Sequence, residues 1–256
     1  MLDAKGVILD LDGVLYRGDE AVPGARELLL TLHDRNINIV ALTNHAANSP
    51  STISSKLQGL GVDLDPDRII TSAEVAARYC AMQFSPGTTV ALLGSPALES
   101  DFSAADLTMV PLGEAASVLV AGYTRNLTIG RLNRAVHTLL SGAQLVGTNP
   151  DLLIPDGDRL IPETGPLLSY LEAASGKTAT VLGKPHSLAF SLALDLLDLP
   201  VSEVVMVGDT LYTDMAGATA YGLRSIWLNE QGLPASPDIQ PTRVASDLQQ
   251  VLTLLV

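Results

Sequence analysis

The sequence predicts an α/β fold built on a parallel sheet, and three observations carry that prediction. Short apolar runs of strand length, at residues 7–9, 37–42, 90–93, 118–121 and 204–207, alternate with stretches whose apolar residues recur at helical spacing. The run at 7–9 is apolar throughout, as in a parallel strand covered on both faces. Three runs drive into polar or acidic residues, namely Asp10-Leu-Asp12, Thr43-Asn44 and Gly208-Asp209, at the carboxyl ends where open α/β sheets place their sites.

Strand 7–9 leads into Asp10-Leu-Asp-Gly13, residues 24–35 read as a helix, and 37–42 completes a β-α-β unit. Ser49 and Pro50 start a helix, because proline tolerates the first turn; Ile53, Leu57 and Leu60 share one face before Gly61 stops it. A further helix covers 73–83, and Ser85-Pro-Gly87 reads as a linker. Strands follow at 90–93, 118–121 and 145–146, the last two separated by an amphipathic helix carrying Leu132, Ala135, Val136, Leu139 and Leu140. Residues 148–158 form a polar, proline-rich loop, and a helix lies near 166–174. The remaining elements are the loop Gly183-Lys184-Pro185, a helix at 187–197, strands at 204–207 and 226–228, and a closing helix over 243–255.

With 256 residues, 47% hydrophobic and 17% charged, the chain has enough apolar content for a core and a second lobe. Its net charge of −13, from 28 acids and 15 bases, opposes nonspecific binding to nucleic acid or to an anionic membrane. A phosphate site here needs concentrated local positive charge. Cys80 is the single cysteine, so no intrachain disulfide forms and a reducing cytoplasm is the expected compartment; its expected place is a small buried apolar position in a helix. Asp3 comes too early for a signal peptide, and no apolar stretch approaches the roughly 18 residues of a membrane span.

In a parallel sheet the strand ends converge on one edge. That edge collects Asp10 and Asp12, Thr43 and Asn44, and Asp209 with Asp214 nearby, while Lys184 joins the set as its cation. Two carboxylates a few ångströms apart raise each other's proton affinity unless a cation neutralises them, so the pair asks for a divalent metal. Taken singly, each member has a plainer role: an Asp-rich turn, a solvated lysine, or, for Asp214, a helix N-cap before Met215-Ala-Gly-Ala. The set is far more specific than any one of them.

In this order the motifs Asp10-Leu-Asp-Gly, Thr43-Asn, Lys184-Pro and Gly208-Asp-Thr-Leu-Tyr-Thr-Asp resemble those of the haloacid dehalogenase-like phosphohydrolases. Gly13-Val-Leu-Tyr-Arg-Gly, Val22-Pro-Gly-Ala, Ile70-Thr-Ser-Ala, Thr148-Asn-Pro-Asp151 and Gly183-Lys-Pro extend the likeness to the NagD-like and para-nitrophenylphosphatase-like branch, over nearly the whole chain. The resemblance implies a Rossmann-like core, discontinuous over 1–83 and 183–256, with an α/β cap inserted at 84–182. It further implies Asp10 as nucleophile and Asp12 as general acid and base. Thr43, Asn44 and Lys184 would bind phosphate, and Mg2+ would sit on Asp10, the Asp12 carbonyl and Asp209, with Asp214 at or just beyond its first ligands. Asn149, Asp151, Leu153 and Ile154 fall in the cap loop that selects substrate.

The chemistry agrees with those roles. Phosphate monoesters hydrolyse so slowly unaided that enzymes supply accelerations of up to ~10²¹-fold, and an aspartyl-phosphate divides one hard displacement into two easier ones. The expected activity is a Mg-dependent phosphatase of small phosphorylated metabolites such as nucleotide or sugar phosphates. Alternatives are a narrow phosphoglycolate or glycerol-phosphate phosphatase and a noncatalytic phosphometabolite-binding regulator. Asp12 argues against the regulator, because pure binding needs no second carboxyl acting as acid and base. A homodimer through the cap is a further expectation, from its size and apolar content.

Two features depart from the branch: His45 where asparagine is common, and Pro162-Glu-Thr-Gly165-Pro in place of a more glycine-rich turn. Other patterns are discounted. Ser175-Gly-Lys-Thr178 lacks the first P-loop glycine, having Leu171 there, and reads as a helix-ending turn. Asp63, Asp65, Asp67 and Glu74 imitate a calcium loop, but Arg68 replaces its turn glycine.

Overall fold

The computed structural model describes residues 1–103, 107–156 and 159–255. The chain divides into two compact units: the first comprises Met1–Thr43, Pro50–Ile70 and Lys184–Val256, and the second comprises Asn44–Ser49 and Thr71–Gly183. In chain order the strands are β1 (Gly6–Leu9), β2 (Tyr16–Arg17), β3 (Glu20–Ala21), β4 (Asn38–Thr43), β5 (Ile69–Thr71), β6 (Thr89–Leu93), β7 (Thr108–Met109) and β8 (Val118–Ala121). They continue with β9 (Gln144–Gly147), β10 (Leu153–Asp156), β11 (Arg159–Pro162), β12 (Thr180–Val181), β13 (Val204–Gly208), β14 (Arg224–Leu228) and β15 (Arg243–Ala245). The helices are α1 (Ala25–Asp34), α2 (Pro50–Gly59), α3 (Ser72–Gln83), α4 (Pro96–Ser103), α5 (Ile129–Leu140), α6 (Thr164–Ser175), α7 (Ser187–Leu197), α8 (Ala216–Tyr221) and α9 (Leu248–Leu255).

Among the described residues, the first unit is organised on a six-stranded sheet of order β15-β14-β13-β1-β4-β5. Strand β1 pairs in parallel with β13 on one side and β4 on the other, and β14 runs parallel to both β13 and β15. The period of two along a strand sorts the side chains. Val7, Leu9, Ala41, Val205, Val207 and Ile226 point into one core with Leu28 and Leu32 of α1 and Val251 and Leu255 of α9. Ile8, Val40 and Met206 stand in register on the opposite face and are wholly buried, where α7 packs on β4. Burying each such aliphatic side chain is worth roughly 1.5–3 kcal/mol relative to exposure. Because β1 sends the chain to β4 on one side and receives β13 on the other, the sheet opens a crevice beyond its carboxyl end.

The second unit contains, among the described residues, a parallel five-stranded sheet of order β12-β9-β8-β6-β7. One face packs on α5 and α6 through Leu119, Ala121, Leu132, Ala135, Leu139, Leu167, Leu168 and Leu171. Leu140, expected on that face, is instead mostly exposed, and Thr138 is buried in the row. Among the described residues, no helix is long and apolar enough to cross a membrane.

Four local expectations differ from the structure. Residues 243–245 are an edge strand rather than the start of a helix; α9 begins only at Leu248, where Asp247 Oδ1 accepts the Gln250 N–H and Gln250 Oε1 accepts the Ser246 N–H, a reciprocal cap that fixes the start. Ser85-Pro-Gly87 is a turn inside the second unit, and α3 groups with α4 in that unit instead of with residues 1–70. The loop at 148–158 carries β10, which pairs antiparallel with β11; Pro155 within the run disguised it as loop, and residues 157–158 lie outside those described. Asp214 is not a helix N-cap: a π-helical turn over Leu211–Met215 precedes α8, whose N-cap is Met215.

The approach to α6 is tied by a buried carboxyl. Glu163 accepts the Thr164 N–H, and Asn149 Nδ2 donates to Glu163 Oε2 at 2.8 Å and to Asp151 Oδ2 at 3.1 Å. Gly165 donates its N–H to the Asp151 carbonyl at 2.8 Å, so close to this backbone that a Cβ would overlap the Pro150 carbonyl. Burial first, and the nearby Asp151 charge second, push the Glu163 carboxyl up to about 7 against the opposing effect of its hydrogen bonds. A carboxyl raised above its unfolded value stabilises the fold while protonated, and that contribution drains away as pH rises from the unfolded pKa through the folded one. Glu163→Gln keeps the acceptor and removes the titration. Its unfolding free energy relative to the parent is expected to climb between pH 5 and pH 8, by up to about 3 kcal/mol, as read from urea unfolding at both pH values.

Candidate active site

The site grows from the carboxyl edge of the first unit's sheet. Asp10 follows β1 directly, its N–H continuing the ladder to the Val207 carbonyl at 2.9 Å. Asp209 follows β13 in the same way, and the Trp227 indole N–H from β14 donates to the Asp209 carbonyl at 2.8 Å. Lys184 places its Nζ 2.7 Å from Asp10 Oδ1 and 2.6 Å from Asp214 Oδ1. Asp214 is fully buried, and its Oδ2 accepts the Thr210 N–H at 3.1 Å. The peptide bond between Lys184 and Pro185 is cis.

Two glycines make the crowding possible. Gly13 sits at φ 84°, in the left-handed region, where its missing side chain leaves room for the Asp209 carboxylate. At Gly208 a Cβ would overlap the Asp214 carboxylate. These backbone approaches bring carboxylate oxygens of Asp10, Asp209 and Asp214 within 4.8 Å of one another.

Such a cluster is electrostatically expensive. Burial and the neighbouring Asp10 charge push Asp209 and Asp214 above the ordinary carboxylate range, against the pull of Lys184. Asp12 is raised to about 6, by burial and then by Asp10, while the Tyr16 hydroxyl donating to its Oδ2 at 3.0 Å opposes the rise. Burial alone would lower Lys184, but Asp10 and Asp214 outweigh it and hold the ammonium above the usual lysine value. One ammonium faces an excess of carboxylates, all oxygen donors, and the excess suits a hard divalent cation. The arrangement can therefore hold an oxygen-liganded metal beside a carboxylate whose partner is a fixed positive charge.

The structure unites Asp10, Asp12, Lys184, Asp209 and Asp214 in the first unit. Lys184 is not the solvated lysine that its loop suggests in isolation; it is 2% exposed. Thr43, buried, ends β4 beside β1, with Leu9 level with Ala41, while Asn44, also buried, opens the segment Asn44–Ser49 of the second unit. In the second unit, Asn149 is wholly buried with its amide engaged by Thr148, Asp151 and Glu163, so it shapes its loop. Leu153 is exposed, and Asp151 and Ile154 are half-buried. Tyr16, Thr210 and Trp227 were not singled out from sequence. Tyr16 and Thr210 stood inside the motifs Gly13-Val-Leu-Tyr-Arg-Gly and Gly208-Asp-Thr-Leu-Tyr-Thr-Asp, but a motif names no hydrogen-bond partner, and nothing in the sequence ties Trp227 to Asp209.

A family model described as haloacid dehalogenase-like hydrolase matches residues 7–108, and a second, HAD-hydrolase-like model matches residues 181–251. The acid sugar phosphatase of Staphylococcus saprophyticus is 30% identical over 257 residues, spanning 98% of each chain. Among solved structures, 4-nitrophenylphosphatase from Thermotoga maritima matches with a TM-score of 0.89 at 28% identity, over 99% of this chain and 98% of its own. Glycerol phosphate phosphatase from Mycobacterium tuberculosis, in complex with magnesium, matches with a TM-score of 0.88 at 29% identity, over 96% of this chain and 76% of that one. With its motif acids and lysine gathered at one sheet edge, the chain belongs to the haloacid dehalogenase-like hydrolases, in their NagD-like branch.

Proposed function

We propose that this phosphatase of small phosphate substrates works through an aspartyl-phosphate on Asp10. The observation that supports this reading best is the 2.7 Å pair between Lys184 Nζ and Asp10 Oδ1 beside Asp209 and Asp214. A buried cation there lowers the cost of bringing an anionic phosphoryl group to an anionic nucleophile. Mg2+ would be held by the Asp10 and Asp209 carboxylates and the Asp12 carbonyl, with Asp214 behind them on Lys184 and the Thr210 N–H. When bound, the ion supplies positive charge to the phosphoryl oxygens.

The chain's own groups carry the steps. An Asp10 oxygen bonds to phosphorus as the ester oxygen departs, and Asp12 gives that oxygen its proton. Asp12, now a carboxylate, takes a proton from water, whose oxygen displaces Asp10 and releases phosphate. The Thr43 hydroxyl and the N–H groups near Asn44 bind the nonbridging oxygens. The second unit serves as the cap, with Asp151, Leu153 and Ile154 selecting among leaving groups and Asn149 keeping their loop in shape. The acid sugar phosphatase likeness favours sugar phosphates as the substrate class, and the glycerol phosphate phosphatase likeness favours a narrower one. A panel of phosphorylated metabolites ranked by kcat/KM separates them. The buried free thiol of Cys80 fits a reducing, cytoplasmic setting.

Three outcomes test the reading. Para-nitrophenyl phosphate turnover is expected to vanish on chelation with EDTA, to return with Mg2+, and to be absent in Asp10→Asn; Mg-dependent binding without turnover in the parent would support the regulator instead. Lys184→Met is expected to lower kcat by about 10²–10³-fold, and a change under threefold would argue against its phosphate role. A homodimer through the cap, supported by exposed Leu152, Leu153 and Leu160 at the β10–β11 hairpin, predicts a mass in sedimentation equilibrium that rises with concentration; a constant monomer mass removes it.

A further inference from the structure

Tyr16 comes four residues after Asp12, and a tight turn folds it back under that acid. Gly13 donates its N–H to the Tyr16 carbonyl at 2.8 Å, Leu15 donates to the Leu11 carbonyl at 2.8 Å, and the β2–β3 hairpin sets Tyr16 opposite Ala21. Tyr16 is buried, so its hydroxyl has little freedom to turn elsewhere. That hydroxyl donates to Asp12 Oδ2 at 3.0 Å. From α2, Lys56 holds its Nζ 4.1 Å from the centre of the Tyr16 ring. A cation on a ring face is attracted by the π system and withdraws electron density from the phenol, making its O–H a stronger donor.

Asp12 is half-buried, and its Oδ2 is the oxygen engaged by the Tyr16 hydroxyl. We propose that Tyr16, backed by Lys56, is a positioning residue that engages Asp12 Oδ2 and so reserves Oδ1 for proton transfer to and from the reacting oxygen. The inference deepens the reading above and rests on Asp12 being the acid and base. In the first half-reaction the bond from Asp10 to phosphorus forms, the ester bond breaks, and the Oδ1 proton goes to the departing oxygen. In the second, Oδ1 takes a proton from the attacking water. Tyr16 keeps its own proton throughout, because its O–H donates to Oδ2 whether Oδ1 is protonated or bare. A carboxyl without that bond would turn through orientations that aim neither oxygen at the reacting atom, and misplacement of about 1 Å can cost about 10²-fold.

Leaving-group chemistry tests this. Para-nitrophenolate departs without a proton, whereas the alkoxide of glycerol phosphate needs one, and kcat/KM reports the chemistry up to loss of that group. Tyr16→Phe keeps the ring and the Lys56 contact while deleting the hydroxyl. Its kcat/KM is expected to fall about 10- to 100-fold on glycerol 1-phosphate, with a much smaller loss on para-nitrophenyl phosphate. Lys56→Met, at a partly exposed position that retains Tyr16, is expected to show the same selectivity with a smaller factor, of about 2–5. Equal losses on both substrates, or none on either, in a Tyr16→Phe protein that unfolds cooperatively would overturn the proposal. Asp12→Asn separates the two levels of the argument. Selectivity in Asp12→Asn without selectivity in Tyr16→Phe sinks the Tyr16 role alone; an Asp12→Asn protein that loses both substrates equally sinks the acid and base reading, and the Tyr16 role with it.

Discussion

A buried ammonium shared by two carboxylates holds the first unit's site together. Lys184 stands between Asp10 and Asp214 at 2.7 and 2.6 Å, with almost no access to water. Desolvating these groups costs several kcal/mol per ion, and their attraction repays that cost only while all three stay in place. Removing one partner from such a buried arrangement costs about 3–5 kcal/mol, because the remaining charge is left uncompensated. The rest of the site is arranged to keep the geometry. Gly208 lets the Asp214 carboxylate lie against the backbone, Gly13 makes room for Asp209, and Trp227 anchors the main chain of Asp209.

The sheet supplies the positions, and the charges supply the tension. Asp10 and Asp209 share one edge because β1 and β13 are adjacent and parallel, with Leu9 level with Val207. Strand ends can bring acids together despite their repulsion, since the apolar packing along the strands and helices outweighs it. What remains is a local excess of negative charge that raises Asp209 and Asp214. A site in this condition is stabilised by binding positive charge, so the strain left by folding becomes affinity for a cation.

Much of this was legible in the sequence because the signals were local or came as a set. The run Val7, Ile8, Leu9 and the two acids after it locate β1 and its edge without any tertiary knowledge. Lys184 was legible only in company; alone, a Gly-Lys-Pro loop does not announce a buried cation. Asp214 was likewise legible as a member of the set; alone, Met215-Ala-Gly-Ala has the look of a helix start, whereas the Asp214 carboxylate is held by Lys184 and the Thr210 N–H. Residues 243–245 were hidden by the apolar stretch that follows, since an edge strand of three residues leaves no periodicity to read. Tyr16 and Trp227 were illegible for a different reason. Their roles depend on a turn and on a strand neighbour, and pairing partners are set by topology, which spacing does not record.

The separation in sequence between Asp10 and Lys184, 174 residues, bears on how the protein is made. Strand β1 and Asp10 are translated well ahead of Lys184 and of β13, the neighbour of β1 in the sheet. At synthesis rates of about 5–20 residues per second, β1 spends on the order of ten seconds without its central pairing. In that interval an apolar strand is exposed to chaperones and to other nascent chains, whereas the segment 71–183 is continuous and meets its own strand partners as it appears. Catalytic competence is thus a late event in the life of each molecule, and no truncated product that stops short of residue 209 carries the full acidic set.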